Sequence, residues 1–108
     1  MTSPFVSELR VGGDVITLGG GDGAVLHLRV QCAELWDAVR VDAPGSTSFS
    51  AVKDAALAWF FPNGIHSGEF VAKVRGFEIL NESDSLDACG IRDGSTILLA
   101  RRRRRAVR

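Results

Sequence analysis

Residues 25–43 read VLHLRVQC, AEL, WDAVRVDA. In the run from Val25 to Cys32, Leu26, Leu28 and Val30 alternate with His27, Arg29 and Gln31, the pattern of a strand with one buried face. After the short link Ala33-Glu34-Leu35 the alternation resumes from Trp36 to Ala43, with Val39 and Val41 inward and Ala38, Arg40 and Asp42 outward. Two such runs joined by a short connection predict a β-hairpin. A hairpin cannot bury its apolar face alone, so another element must cover it.

That element follows directly. Pro44-Gly45 stops the second strand, and Ser46-Thr47-Ser48 offers hydroxyls for a helix N-cap. Phe49, Val52, Ala56 and Trp59/Phe60 then recur on one helical face, among alanines that favour helix. Trp59 is therefore read as core, and Pro62-Asn63-Gly64 ends the helix. Beyond it, Phe70, Ala72 and Val74 alternate with Val71, Lys73 and Arg75 as a third strand. Gly76 permits a turn into a short fourth strand, Phe77 to Leu80. Ser83 or Asp84 is expected to cap a single helical turn through Leu86, closed by Gly90 in a left-handed conformation. Asp93-Gly94 signals a turn into a fifth strand, Thr96 to Ala100.

Upstream, residues 1–23 are rich in glycine: Gly12-Gly13, then Gly19-Gly20-Gly21-Asp22-Gly23. Such density is costly to order, so the segment is expected to be a mobile arm, with Val15 to Leu18 able to form a short strand. A chain of 108 residues makes one domain. No apolar run approaches the roughly 20 residues of a membrane helix, and no basic segment leads into an apolar one, so a cytoplasmic setting is expected. Cys32 and Cys89 stand alone, without paired spacing, and are expected to be reduced.

The formal net charge of zero conceals a division. All 13 carboxylates and seven of the 13 cations lie within residues 1–100, a body of −6. The remaining six cations, Arg101, Arg102, Arg103, Arg104, Arg105 and Arg108, form a tail of +6.

The segment Leu86-Asp87-Ala88-Cys89-Gly90-Ile91-Arg92-Asp93-Gly94-Ser95-Thr96-Ile97-Leu98-Leu99 resembles the last third of a ubiquitin-like domain. Ser48-Phe49-Ser50-Ala51-Val52-Lys53 is similar to the same family's helix start. The resemblance covers residues 24–100. It implies an α+β, ubiquitin-like β-grasp fold, with a mixed sheet of about five strands on one helix. The domain plan is then an arm (1–23), a ubiquitin-like domain (24–100) and an Arg-rich tail (101–108). Within the family, the segment from Leu86 to Ile91 is also similar to small ubiquitin-like proteins of bacterial type VII secretion clusters. The β-grasp subunits of multicomponent monooxygenases are another relative that the sequence does not separate from these.

Two departures bear on function. Conjugated modifiers and sulfur carriers of this family end in Gly-Gly, whereas this chain ends Ala106-Val107-Arg108. The exposed aliphatic patch of ubiquitin falls here on Lys73, Leu98 and Ala100, which makes it basic and unsuited to ordinary ubiquitin receptors. The expectation is a non-catalytic adaptor that binds an acidic protein partner as a monomer or weak oligomer. Its partner-binding residues would be Trp36, Arg29, Arg40, Lys73, Arg75, Leu98 and Ala100 on one sheet face, with Arg101, Arg102, Arg103, Arg104 and Arg105 from the tail. His27, Ala38 and Val71 share that face, and Asp42 is the only strand acid expected to oppose it; the alternative is a solvated sheet face whose Trp36 packs over the N-terminal arm. Two rival readings are a modifier or sulfur carrier activated at its C-terminus, and a nucleic-acid binder acting through the arginines. The latter lacks aromatic residues among the arginines for base stacking. The tail has a further reading, docking on the protein's own acidic body. His27 and His66 have no ligand partners at metal spacing, and the glycine run lacks the Lys-Ser/Thr of a phosphate loop, so no metal or cofactor is expected.

Overall fold

The computed structural model describes residues 15–19 and 24–102. Its strands are β1 (Val15–Thr17), β2 (Val25–Cys32), β3 (Asp37–Pro44), β4 (Phe70–Val74), β5 (Phe77–Glu78) and β6 (Thr96–Arg101). One helix, α1 (Phe49–Phe60), and a 3-10 turn (Ser67–Glu69) connect β3 to β4. The strands form one mixed sheet in the order β1-β3-β2-β6-β4-β5. β2 runs parallel to β6 and β1 parallel to β3, and the other neighbours are antiparallel.

The hairpin forms as its alternation dictates. Leu28 lies opposite Val41 and Val30 opposite Val39, all buried, while Arg29 faces Arg40 on the other side. A slip of one residue would put every apolar side chain into water, so the register is firmly set. α1 buries Phe49, Val52, Ala56, Leu57 and Phe60 against the sheet. Phe49 and Phe70 are wholly buried beside Leu28, Leu86, Ile97 and Leu99. Each such side chain contributes about 1.5–3 kcal/mol.

Ser48 caps α1: its Oγ accepts from the Ala51 N–H at 3.2 Å. The chain segment before β6 satisfies further donors that a helix start leaves open. Phe49 N–H donates to Asp84 O at 2.8 Å, and Ser50 N–H to Glu82 O at 2.7 Å. The turn that follows starts at Ser85, whose Oγ accepts from Ala88 N–H at 3.1 Å, and not at Ser83 or Asp84 as expected. It closes with Ile91 N–H on Leu86 O and Gly90 N–H on Asp87 O, at 2.9 and 3.0 Å. This is the paired closure that needs a left-handed residue, and Gly90 supplies it at φ 80°.

The sheet has six strands where about five were expected. The sixth is β1, drawn from the glycine-rich segment. Ile16 stands in register with Val41 and is 1% exposed, so residues 15–19 extend the core at the β3 edge. The remainder of the expected arm, residues 1–14 and 20–23, lies outside the described residues. β5 is shorter than the expected Phe77–Leu80 run, and β6 runs one residue further, through Arg101.

Candidate functional site

One face of the sheet carries α1; among the described residues no element covers the other. Pairing registers place the outward side chains in rows across the strands. Arg40, Arg29 and Thr96 form one row, and Ala38, Gln31, Leu98 and Lys73 the next. Ala100 and Val71 pair beyond them. With neighbouring strands about 4.8 Å apart, the expected residues Arg29, Arg40, Lys73, Leu98 and Ala100 do share one surface.

Arg75 and Trp36 reach it from turns. Val74 pairs with Phe77 across a two-residue loop in which Arg75 has φ 54° and Gly76 φ 84°. Left-handed conformations at both central residues are those of the tight hairpin turn that follows sheet twist. Trp36 does not begin β3 as expected. It ends the turn from Ala33, with φ 54° and 94% of its surface exposed. A bulky residue in that conformation is an outlier.

The charges on this face are unequally satisfied. Arg40 donates to Asp42 through Nε and Nη2, at 2.9 and 3.2 Å, and this pairing pushes the guanidinium pKa up. Asp93 Oδ1 accepts from the His27 backbone N–H at 2.8 Å and lies 2.9 Å from His27 Nδ1. These contacts pull the Asp93 carboxyl below its ordinary value. Asp42 is not the only strand acid here: Glu78 stands opposite Lys73 in the β4–β5 register, and Asp93 joins them from the turn before β6. Arg29, Lys73, Arg75 and Arg92 have no ion pair among the described residues.

Shallow hollows mark the face. One of about 640 Å³ is lined by Trp36, Leu98, Arg29, Gln31 and Ala38, among others. A second, of about 580 Å³, is lined by Lys73, Arg75, Arg92, Asp93, Thr96 and Leu98, among others. Leu98 belongs to both.

The tail starts differently from the sheet residues. Arg101 donates from Nε to Glu34 Oε2 at 3.0 Å and from Nη1 to Glu69 Oε1 at 2.7 Å. Its guanidinium lies 5.0 Å from the Phe70 ring centroid, and its pKa is pushed up chiefly by the Glu34 hydrogen bond. Arg102 donates from its backbone N–H to Glu69 O at 2.6 Å and from Nε to Gly68 O at 3.2 Å. The first two tail arginines thus dock on the body itself, while Arg103, Arg104 and Arg105 lie outside the described residues.

Three features escaped sequence reasoning. Arg92 sits in a turn, where no alternation aims it. The Asp93–His27 contact joins residues 66 apart. Lys53 is buried at 2% exposure, on the same helix face as Phe49, Val52, Ala56, Leu57 and Phe60; its helical spacing from Phe49, Ala56 and Leu57 is the signal that could have found it. Cys32 is buried and Cys89 partly so; both are free thiols. Burial, then Asp84 and Glu82, pushes the Cys89 thiol up, which disfavours the reactive thiolate. Among the described residues no group of three or more His, Cys, Asp or Glu is placed to hold a metal. Nor is any helix long and apolar enough to cross a membrane.

No protein-family model matches the chain, and no curated protein sequence does. Solved structures do. The ubiquitin of Caldiarchaeum subterraneum is 14% identical with a TM-score of 0.62, covering 77% of this chain and 100% of that one. The C-terminal ubiquitin-like domain of mouse tubulin-specific chaperone e is 17% identical with a TM-score of 0.64, covering 82% and 98%. A ubiquitin-like domain from Arabidopsis thaliana is 17% identical with a TM-score of 0.60, covering 84% and 100%. The fold is thus the ubiquitin-like β-grasp, α+β, with one helix on a mixed sheet.

Proposed function

We propose that this ubiquitin-like domain is a non-catalytic interaction module. It binds an acidic surface of a partner protein through the open sheet face centred on Trp36, with the Arg-rich tail adding charge. The observation that carries this reading is Trp36 itself, a large aromatic side chain 94% exposed on left-handed backbone beside Arg29 and Leu98. Trp and Arg are the residue types most enriched among those that dominate binding energy. Burying the indole beneath a partner is worth about 2 kcal/mol or more. Uncompensated cations around it steer an acidic partner and make association salt-sensitive. Resemblance to secretion-cluster and oxygenase proteins points to a component of a larger bacterial assembly as that partner.

Photo-crosslinking tests the reading. A photoreactive residue at Gln31, on the open face, should give one discrete protein adduct in the native cell. One at Asp54, exposed on α1, should not. The Gln31 adduct should vanish with Trp36→Ala and weaken when residues 103–108 are removed, a truncation that spares the Arg101 contacts. Equal adducts from both faces, or indifference to Trp36, would refute it.

A further inference from the structure

We infer that Lys73, Arg75 and Arg92, with the Thr96 hydroxyl, form a distinct anion subsite. It takes the clustered carboxylates of a short acidic peptide segment whose apolar residue seats in the Trp36 hollow. This inference rests on the interaction surface proposed above and names the chemistry of what binds there.

Three different segments supply the cations: β4, the β4–β5 turn, and the turn that precedes β6. They converge on one hollow of about 580 Å³. None of the three has an ion pair among the described residues, although the body carries an excess of carboxylates. The two acids nearby are not committed to them. Asp93 is hydrogen-bonded to His27, and Glu78, opposite Lys73, makes no salt bridge among the described residues. Unspent charge of one sign on a body of the other sign is a local arrangement, not a consequence of composition.

Backbone conformation adds a second observation. Arg75 holds φ 54°, a conformation that asparagine or glycine adopts at less cost. The turn therefore does not call for arginine. Further across the sheet, Arg29 stands directly opposite Arg40, a like-charge pairing that costs stability unless an anion is near. Arg40 finds one in Asp42; Arg29 does not. Continuing the β4–β6 register one residue past Val74–Ile97 sets Arg75 beside Thr96, which itself neighbours Arg29.

Leu98 lines both hollows, so an apolar side chain against Trp36 and carboxylates against Lys73 and Arg75 belong to one short extended segment. A long phosphate backbone fits less well. The body's net −6 repels a polyanion that extends beyond the patch, and the anion hollow has no aromatic lining for bases.

The test is a titration of isotope-labelled protein with a capped peptide of one leucine followed by a run of glutamates. Saturable amide shifts are expected at Gly76, Gly94, Ser95 and Thr96, together with the Trp36 indole. Arg75→Asn keeps the turn conformation and removes one cation; it and Arg92→Gln should each weaken affinity about tenfold. Trp36→Ala should abolish the leucine contribution while the shifts around Gly94 persist. Equal binding by the glutamine version of the peptide would overturn the inference. So would indifference to Arg75→Asn and Arg92→Gln, or tighter binding of a single-stranded oligonucleotide at the same amides. If these fail while the Gln31 adduct survives, only the subsite falls; if the peptide binds but no Gln31 adduct forms, only the surface reading falls.

Discussion

Lys53 Nζ lies 2.8 Å from Glu82 Oε2 and 2.7 Å from the carbonyl oxygen of Phe70, with the lysine 2% exposed. The contact ties α1 to the start of β4 and to the segment that satisfies the helix N-terminus. Removing one partner of a buried pair leaves an uncompensated charge, which costs more than the pair contributes. The two truncations should therefore be unequal. Glu82→Ala strands an ammonium in the core and is expected to destabilise by about 3 kcal/mol. Lys53→Met leaves a carboxylate that is already 26% exposed and rehydrates, together with one orphaned carbonyl. About 1–2 kcal/mol is expected for it. Denaturant unfolding of the two variants checks the order; equal losses would mean that the ion pair is not what Lys53 is retained for.

Trp36 makes the opposite prediction. Left-handed backbone costs a residue with a Cβ about 1–2 kcal/mol, and asparagine tolerates it best after glycine. At 94% exposure the indole returns almost nothing to the fold. Trp36→Asn should raise stability by about 0.5–1 kcal/mol while lowering partner binding. A lower unfolding midpoint in the variant would show that the turn is not strained.

Trp59 is partly buried, and its Nε1 has no acceptor among the described residues. Its ring meets Phe60 edge-on at 5.3 Å. Trp59→Phe removes both an unsatisfied donor, worth about 1–3 kcal/mol, and part of the ring contact. The two effects oppose, so stability should stay within about 1 kcal/mol of wild type. Trp59→Ala, which loses the whole side chain, should approach the roughly 3–5 kcal/mol usual for such truncations.

These cases also show what was legible in the chain. The β2–β3 register, the α1 stripe and the left-handed Gly90 follow from local period and turn chemistry, which a sequence carries directly. β1 is legible only as a short, largely apolar run, Val15 to Leu18; nothing in so short a run names its partner, and its place in the sheet depends on the edge of β3 and on the burial of Ile16. The alternation places Trp36 at the start of a strand, because alternation says nothing about φ, and the structure puts it at the end of the preceding turn. Period-2 alternation puts Arg29, Arg40, Lys73, Leu98 and Ala100 on one face, as the strand registers do. Arg92, the Asp93–His27 contact and the engagement of Arg101 depend on turns meeting strands distant in sequence, which no spacing rule reports.

Asp93 predicts the acid limb of stability. The His27 backbone N–H and ring hold its carboxyl below the ordinary 3.8. Because the folded value is the lower one, the ionised form favours the fold. Its contribution is complete above the unfolded value and disappears as pH falls through the folded one. Asp93→Asn keeps the turn preference but cannot ionise. Its stability should change less than that of wild type below about pH 4 and run parallel to it near neutrality. Parallel curves throughout would show that Asp93 does not govern that limb.

Arg101 links the tail to the turn that presents Trp36, through Glu34 two residues before it. Within that turn the backbone contributes a hydrogen bond of 3.2 Å from Leu35 N–H to Cys32 O. An ion pair this exposed is weakened by salt, so its effect should appear as mobility before it appears as unfolding. Arg101→Gln is expected to speed hydrogen exchange at Leu35 and Trp36 and to shift the Trp36 indole resonance. High salt on the wild-type protein should reproduce the change. Arg102→Gln is the control, because its bond to Gly68 O does not touch the turn. Unchanged exchange in Arg101→Gln would mean that the turn is held by its own backbone alone, leaving the tail and the tryptophan as independent contributors to binding.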